Sequence, residues 1–321
     1  MRDTKKIALV GTGFVGTSFA YALLNQQACD ELVLIDVDKA RAKGEAMDLN
    51  HGLAFSSGNM DIYDGDYKDC ADADIVCICA GVNQQPGESR IALLQRNSAI
   101  FQSIVAAVLE SGFTGIFLVA TNPVDIMTQV TQRISGFPAN RVIGTGTTLD
   151  TARLRYLLGK YFSIDPRNVH AYVIGEHGDS EFVPWSQALL ATKPVLRVCE
   201  EFPNRFRMQD LEDISQEVKR AAEKIIRAKK ATYYGIGMAL TRIVKAIFGN
   251  ENSVLTVSSL LCGAYGQEHV YIGSPCILNR SGVQSLVRLS LTDDELAVFH
   301  RSCDFLRSTF ADLMETAPIG I

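Results

Sequence analysis

Short apolar runs recur through the first half of the chain, each closed by glycine, proline or polar residues and separated by stretches of helical spacing. Ile7-Ala8-Leu9-Val10 has no polar break, as expected of a strand covered on both faces. Leu32-Val33-Leu34-Ile35, Ile75-Val76-Cys77-Ile78-Cys79, Ile116-Phe117-Leu118-Val119 and the shorter Val142-Ile143 repeat that character. Helical periodicity predicts helices from Thr17 to Leu24 and over 92–109. Strands alternating with helices predict an α/β chain built on a doubly wound parallel sheet, with ligands beyond the carboxyl ends of the strands. Farther on, residues 216–248 read as helical, with Gly235 and Gly237 as weak points. Strands are expected at 254–257 and 269–273, and a closing amphipathic helix over 293–314, capped by Thr292.

The first strand runs directly into Gly11-Thr12-Gly13-Phe14-Val15-Gly16, and the second ends at Asp36, twenty residues after Gly16. Strand, glycine loop, helix and acid at that distance form the Rossmann dinucleotide fingerprint. Gly11 makes the tight turn, Gly13 lets the backbone reach a pyrophosphate, and Gly16 lets helix pack on strand. Phe14 and Val15 are expected at the cofactor, in the loop leading to a helix whose N-terminus favours phosphate. Asp36 accepts from a ribose 2′-hydroxyl and repels a 2′-phosphate, so NAD is expected over NADP. A structural βαβ turn without ligand is the bland alternative.

With 321 residues the chain has ample core for one large or two moderate domains. Its net charge of −5, without a long basic run, disfavours nucleic acid. Eight cysteines in a chain of this length do not make a disulfide framework; Cys77 and Cys79 are expected to be reduced and on one strand face. No metal site is expected. The charged start and the short apolar run after it suit neither a signal peptide nor a membrane span, so a cytoplasmic protein is expected.

Candidate chemistry lies later, at Gly175-Glu176-His177-Gly178-Asp179-Ser180. Histidine exchanges a proton near neutrality, and flanking glycines leave room for a ligand. A histidine in such a loop is also a common surface or capping residue. Asp150 and Arg153 are three apart on an expected helix and share a face; Arg155, about 200° around from Arg153, points elsewhere. By themselves Asp150 and Arg153 read equally as a surface salt bridge. The loop over 80–90, with Pro86 and Gly87 inside it, is either a mobile lid or an ordinary connection.

Taken together, the glycine loop with Asp36, Thr121-Asn122-Pro123-Val124-Asp125, the Leu-Asp-x-x-Arg run ending at Arg153 and the Gly-Glu-His-Gly-Asp-Ser motif resemble the lactate/malate dehydrogenase family. Gln84-Gln85-Pro86-Gly87-Glu88-Ser89-Arg90 resembles the bacterial lactate branch; Gln84 stands where the malate branch carries arginine. The resemblance implies an NAD-binding Rossmann domain over 1–146, a mixed α/β substrate domain over 147–321, and a homotetramer. It implies His177 as proton donor and acceptor, Asp150 as its orienting carboxylate, Arg153 as the clamp on the substrate carboxylate, and Arg90 as the group polarising the carbonyl. Asn122 would hydrogen-bond near the reacting oxygen and, with Thr121, the cofactor, while Gln84 and Thr232 would line the substrate pocket. Lys230 departs from the family, many of whose members carry glycine there. The implied reaction is hydride transfer from NADH to pyruvate giving L-lactate, with malate dehydrogenase and a non-catalytic NAD-binding protein as rivals. Arg155 and His170 match the positions that bind fructose 1,6-bisphosphate in relatives activated by it.

Overall fold

The computed structural model describes residues 4–82, Gly87 and 89–317, without the side chain of Arg90. Six parallel strands form one side of a nine-stranded sheet, out to its edge: β1 (Lys6–Val10), β2 (Glu31–Ile35), β3 (Asp61–Asp64), β4 (Ile75–Ile78), β5 (Ile116–Val119) and β6 (Val142–Gly144). Their spatial order, β3-β2-β1-β4-β5-β6, reverses direction beside β1, and a crevice for ligand opens at that point. Helices α1 (Phe14–Gln26), α2 (Lys39–Gly52), α3 (Arg90–Glu110) and α4 (Val124–Ser135) connect the strands.

The unbroken apolar runs have a simple cause. Along β1, Ala8 and Val10 enter one apolar cluster with Val76, Phe101, Phe117 and Phe299, while Ile7 and Leu9 enter another with Phe19, Cys77, Leu118 and Leu240. Successive side chains point to opposite faces and both faces are covered, so no position tolerates a polar residue. β3 escaped the sequence reading because it is the edge strand, and of Asp61-Ile62-Tyr63-Asp64 only Ile62 is buried.

The second half begins with α5 (Thr148–Phe162). A small three-stranded sheet follows, from β7 (Val169–His170), β8 (Leu189–Leu190) and β9 (Lys193–Pro194). Then come α6 (Val195–Glu201), α7 (Met208–Lys229) and α8 (Tyr234–Phe248). The strands β10 (Ser253–Cys262), β11 (Glu268–Asn279) and β12 (Gly282–Leu286) precede the closing helix α9 (Asp293–Thr316). β10, β11 and β12 extend the central sheet antiparallel, joined to it where Ser258 pairs with Gly144. The parallel sheet expected from the first half is thus completed as a mixed sheet by the second.

Several boundaries move for physical reasons. α1 begins at Phe14, three residues before the predicted Thr17, because extended Gly13 (φ −68°, ψ −176°) serves as its N-cap. Gly235 and Gly237 lie inside α8, and the break falls earlier, at Lys230 (φ 74°). The glycines are packing positions: a Cβ on Gly237 would meet the Ser18 backbone at 2.9 Å, and one on Gly235 the Leu149 side chain at 2.9 Å. So α8 lies close against both α1 and α5. Thr292 caps α9 in a reciprocal capping box with Glu295, as the sequence predicts. All eight cysteines are reduced, and the Sγ atoms of Cys77 and Cys79 lie 3.8 Å apart on one face. Within α3, residues 91–110 are long and apolar enough to cross a membrane, but Phe101, Val105 and Val108 are buried in the core.

Candidate active site

At the switch point the glycine loop has the shape a dinucleotide needs. Gly11 sits at φ +100°, where a Cβ would lie 2.5 Å from the Ala80 backbone nitrogen; a Cβ on Gly16 would lie 2.0 Å from the Gly11 carbonyl oxygen. Both positions therefore demand glycine. No side chain caps α1, so its first amide groups remain available to an anion. One oxygen of Asp36 accepts from the Thr12 amide (2.7 Å) and hydroxyl (2.8 Å), and the other from the Asp38 amide (3.0 Å). Burial alone would raise the Asp36 pKa, but these hydrogen bonds outweigh it and hold the pKa below the ordinary carboxylate value. Asp36 is therefore charged at the end of β2, where a ribose would lie. The residues present fit NAD.

Thr121 and Asn122 follow β5 at the same end of the sheet. Thr121 Oγ1 donates to the Ala80 carbonyl at 2.7 Å, tying the two loops together, and exposed Asn122 precedes Pro123 through a cis peptide bond. The next helix, α4, supplies buried Asp125 in its first turn. Its Oδ2 accepts the His177 amide at 2.8 Å and its Oδ1 the Ser258 hydroxyl at 2.5 Å.

His177 is held from several directions. Before it, Gly175 (φ +102°) forms a reciprocal bridge to Gly273 on β11, and Ile174 one to Phe182. The Glu176 amide donates to Ser302 Oγ of α9 at 2.8 Å. The imidazole Nδ1 lies 2.6 Å from Asp150 Oδ2, and Arg153 Nη1 donates to the other oxygen of that carboxylate, Oδ1, at 2.6 Å. Asp150 is 2 % exposed, whereas Arg153 and His177 are 14 % and 25 % exposed, so a buried anion presents two groups toward solvent. With Nδ1 committed to Asp150, Nε2 is the ring atom left to exchange a proton with a ligand.

Electrostatics fixes the proton. Burial, the largest influence, lowers the His177 pKa, but the charge and hydrogen bond of Asp150, with smaller help from Glu181 and Asp125, raise it to about 9. Burial likewise opposes ionisation of Asp150, yet His177 and Arg153 hold it below the usual range. At neutral pH the pair is an imidazolium against a carboxylate, a proton donor held in place. Glu181, four residues after His177 and 4 % exposed, has Oε2 at 4.0 Å from Nδ1; burial first and Asp150 second raise its pKa to about 8.

The remaining predicted residues fall in different places. Partly buried Thr232 lies between α7 and α8, next to Tyr233, whose ring stacks on exposed Phe14 of the glycine loop at 5.3 Å. Arg155 turns away from Arg153: its Nε donates to the Ala171 carbonyl at 3.1 Å and its guanidinium packs on Tyr172. That carbonyl belongs to the residue after exposed His170. Gln84 lies outside the described residues, as do residues 83, 85, 86 and 88 of the proposed lid; Arg90 opens α3, and its side chain is outside the description. Asp125 and Glu181 are the members the sequence reading left without a role. Asp125 stands in the quoted Asn-Pro-Val-Asp run, and Glu181 at one helical turn's spacing from His177. A cavity of about 490 Å³ lined by Lys5, Asp74, Gly115 and Arg141 opens at the amino ends of the strands and contains none of these groups.

Comparison with known proteins matches this geometry. Residues 5–144 match the lactate/malate dehydrogenase NAD binding domain, and residues 147–316 the alpha/beta C-terminal domain of the same family. An L-lactate dehydrogenase of Geobacillus stearothermophilus is 53% identical over 306 residues, 95% of this chain and 96% of that protein. The crystal structure of a lactate dehydrogenase from a Medee basin deep-sea metagenome superposes with a TM-score of 0.95 at 53% identity, covering 98% of this chain and 99% of that one. The minor L-lactate dehydrogenase of Enterococcus mundtii in its ligands-bound form gives 0.95 at 48% identity, over 97% and 99%. A glycine loop closed by a charged Asp36, and a histidine paired to a buried aspartate that also holds an arginine, span both matched regions. The chain belongs to the lactate/malate dehydrogenase family.

Proposed function

We propose that this chain interconverts pyruvate and L-lactate with NAD, His177 being the group that gives and takes the proton. The observation that carries the reading is the run Arg153–Asp150–His177, two contacts of 2.6 Å through one buried carboxylate. Asp150 Oδ2 holds Nδ1, fixes the ring and stabilises the imidazolium. The guanidinium of Arg153 retains nitrogens beyond the one on Asp150, and these clamp the substrate carboxylate. Nε2 of His177 then faces the carbonyl oxygen and protonates it as the alkoxide develops. When bound along the glycine loop, NADH supplies the hydride. Asn122 and Thr232 border the substrate, and Arg90, the first residue of α3, polarises its carbonyl. The functional division falls at 146/147, between cofactor-binding and substrate-binding halves.

Pyruvate is favoured over oxaloacetate by Gln84, which offers no cation to a second carboxylate; burying that charge unpaired costs several kcal/mol. An NADH-oxidation assay with each keto acid at equal low concentration tests the reading. Faster turnover of oxaloacetate would assign the chain to the malate branch, and turnover of neither would leave a binding protein. Gln84→Arg is expected to move preference toward oxaloacetate.

The working form is a cytoplasmic homotetramer of fermentative glycolysis, activated by fructose 1,6-bisphosphate at Arg155 and His170. What supports the last point is adjacency: Arg155 reaches the backbone beside His170, and it lines a cavity of about 270 Å³ with Tyr172 and Arg242. Two such cation sets facing each other across a two-fold axis would repel until a bisphosphate neutralised them. A pyruvate titration with and without the sugar bisphosphate near neutral pH tests it; superimposable curves would refute it. Analytical ultracentrifugation tests the tetramer.

A further inference from the structure

The site contains one more carboxyl group than its mechanism uses. Asp150 already accepts both Arg153 and His177, one on each oxygen. Glu181 is nevertheless packed beside them: its Oε2 is 4.0 Å from His177 Nδ1, and ligand-type atoms of Asp150, His177 and Glu181 all lie within 4.8 Å of one another. The Glu181 side chain is 4 % exposed and Asp150 only 2 %, so water screens neither. Two ionised carboxylates at this spacing repel strongly, and the second one to ionise is held back.

The charged surroundings can be listed by element. From α5 come Asp150, which opposes ionisation of Glu181, and Arg153, which favours it. His177, on the same loop, also favours it, as does Lys219 of α7, whose Nζ is placed by a 3.4 Å contact with the Asp179 carbonyl. Glu176 is turned away, accepting the Ser180 amide and hydroxyl, and Asp125 acts on His177 from α4. Burial is the largest influence and, with Asp150, prevails over the three cations. The charge balance favours the same state. An anionic Asp150, a cationic Arg153 and an imidazolium leave one positive charge for an anionic substrate, and an ionised Glu181 would cancel it.

We propose that Glu181 is a positioning residue that sets the proton affinity of His177: it is the neutral acid while the site receives its substrate, and its ionisation holds the proton on the imidazole. It touches neither substrate nor reacting atoms and acts through the ring at 4.0 Å. The consequence is a donor that survives farther into alkali than Asp150 alone would allow. The proposal rests on the assignment of His177 as the proton-transferring group.

Glu181→Gln keeps the size and removes the ionisation. NMR titration of the imidazoles in the protein without cofactor, with the His177 signal identified by its loss in His177→Gln, should show the His177 pKa falling by about one unit in Glu181→Gln, a tenfold loss of proton affinity. The alkaline limb of kcat for pyruvate reduction, measured at saturating pyruvate, should move acidward by the same amount. An unchanged His177 titration in Glu181→Gln overturns the proposal. In the wild type, the 13C signal of the Glu181 carboxyl should titrate near 8 rather than near 4.5; titration near the ordinary value also overturns it, without a variant that must fold. If His177→Gln retains turnover, the His177 assignment falls and takes this proposal with it. If turnover is lost there while Glu181→Gln leaves the imidazole titration in place, only the role of Glu181 falls.

Discussion

Asp125, from the first turn of α4, holds the backbone amide of His177 at 2.8 Å. The His177 ring is thus anchored to α4 through its main chain and to α5 through its side chain. Asp125 also takes the Ser258 hydroxyl, and burial raises its pKa to about 6 despite both bonds. Asp125→Ala leaves two buried donors unpaired, each costing about 1–3 kcal/mol. The expected result is a marked fall in melting temperature in thermal unfolding, with kcat reduced about tenfold or more by a loosened His177.

Asp150 sets the sign of the pH response. Its charge holds the His177 pKa at about 9, above the free value of 6.5, so the donor is present below that pH and lost above it. Reduction of pyruvate should therefore stay level through neutrality and fall about tenfold per unit beyond about 9, while lactate oxidation, which needs the neutral ring, rises over the same range. Asp150→Asn removes the largest raising influence and leaves burial, which lowers, opposed only by the smaller effects of Glu181 and Asp125. The alkaline limb should move acidward, with kcat/KM for reduction at pH 7 down by about 10²–10⁴-fold. Steady-state pH profiles in both directions check this.

Asp36 holds the loop together, since it accepts three hydrogen bonds from Thr12 and Asp38. Asp36→Ala should raise KM for NADH by loosening the loop, whereas Asp36→Asn keeps much of the bonding and removes the charge. The preference for NADH over NADPH should accordingly narrow by about tenfold or more in Asp36→Asn with a smaller rise in KM for NADH. Initial rates with both cofactors separate the two effects.

Lys230 occupies a left-handed position, φ 74° and ψ −25°, at the end of α7. Such a conformation costs a residue with a side chain about 1–2 kcal/mol, and glycine returns about 0.5–1 kcal/mol of that as chain entropy. Lys230→Gly should be slightly stabilising, by up to about 1 kcal/mol, and Lys230→Ala close to neutral. Differential scanning fluorimetry on both variants tests it.

The glycine loop was legible because its signal is contiguous: strand, glycines, helix and acid follow one another, and Gly11 and Gly16 each answer a local steric demand. The pairing of Asp150 with Arg153 was legible as a helical spacing, but its partnership with His177 needed the family pattern, because nothing local joins residues 27 positions apart. Asp125 reaches His177 across 52 positions and was invisible for the same reason. Glu181 is near in sequence, yet what makes it unusual is burial against α5, which no spacing encodes. The antiparallel extension of the sheet was equally hidden, since the pairing of Ser258 with Gly144 is a choice of partner made across more than a hundred residues.

That shared sheet bears on how the molecule can move and how it can be cut. Leu240, Ile243, Val244 and Ile247 of the second half fill the same apolar layer as Ile7, Leu9 and Leu118 of the first. Halves that share a layer are not levers about a hinge: swinging one away would open that layer to water. A closure over substrate is therefore expected of loops rather than of one half swinging against the other. For the same reason a fragment ending at 146 would bare this layer and an unpaired β6 edge, and would aggregate rather than fold alone. The boundary between the two matched regions is thus crossed by a shared apolar layer.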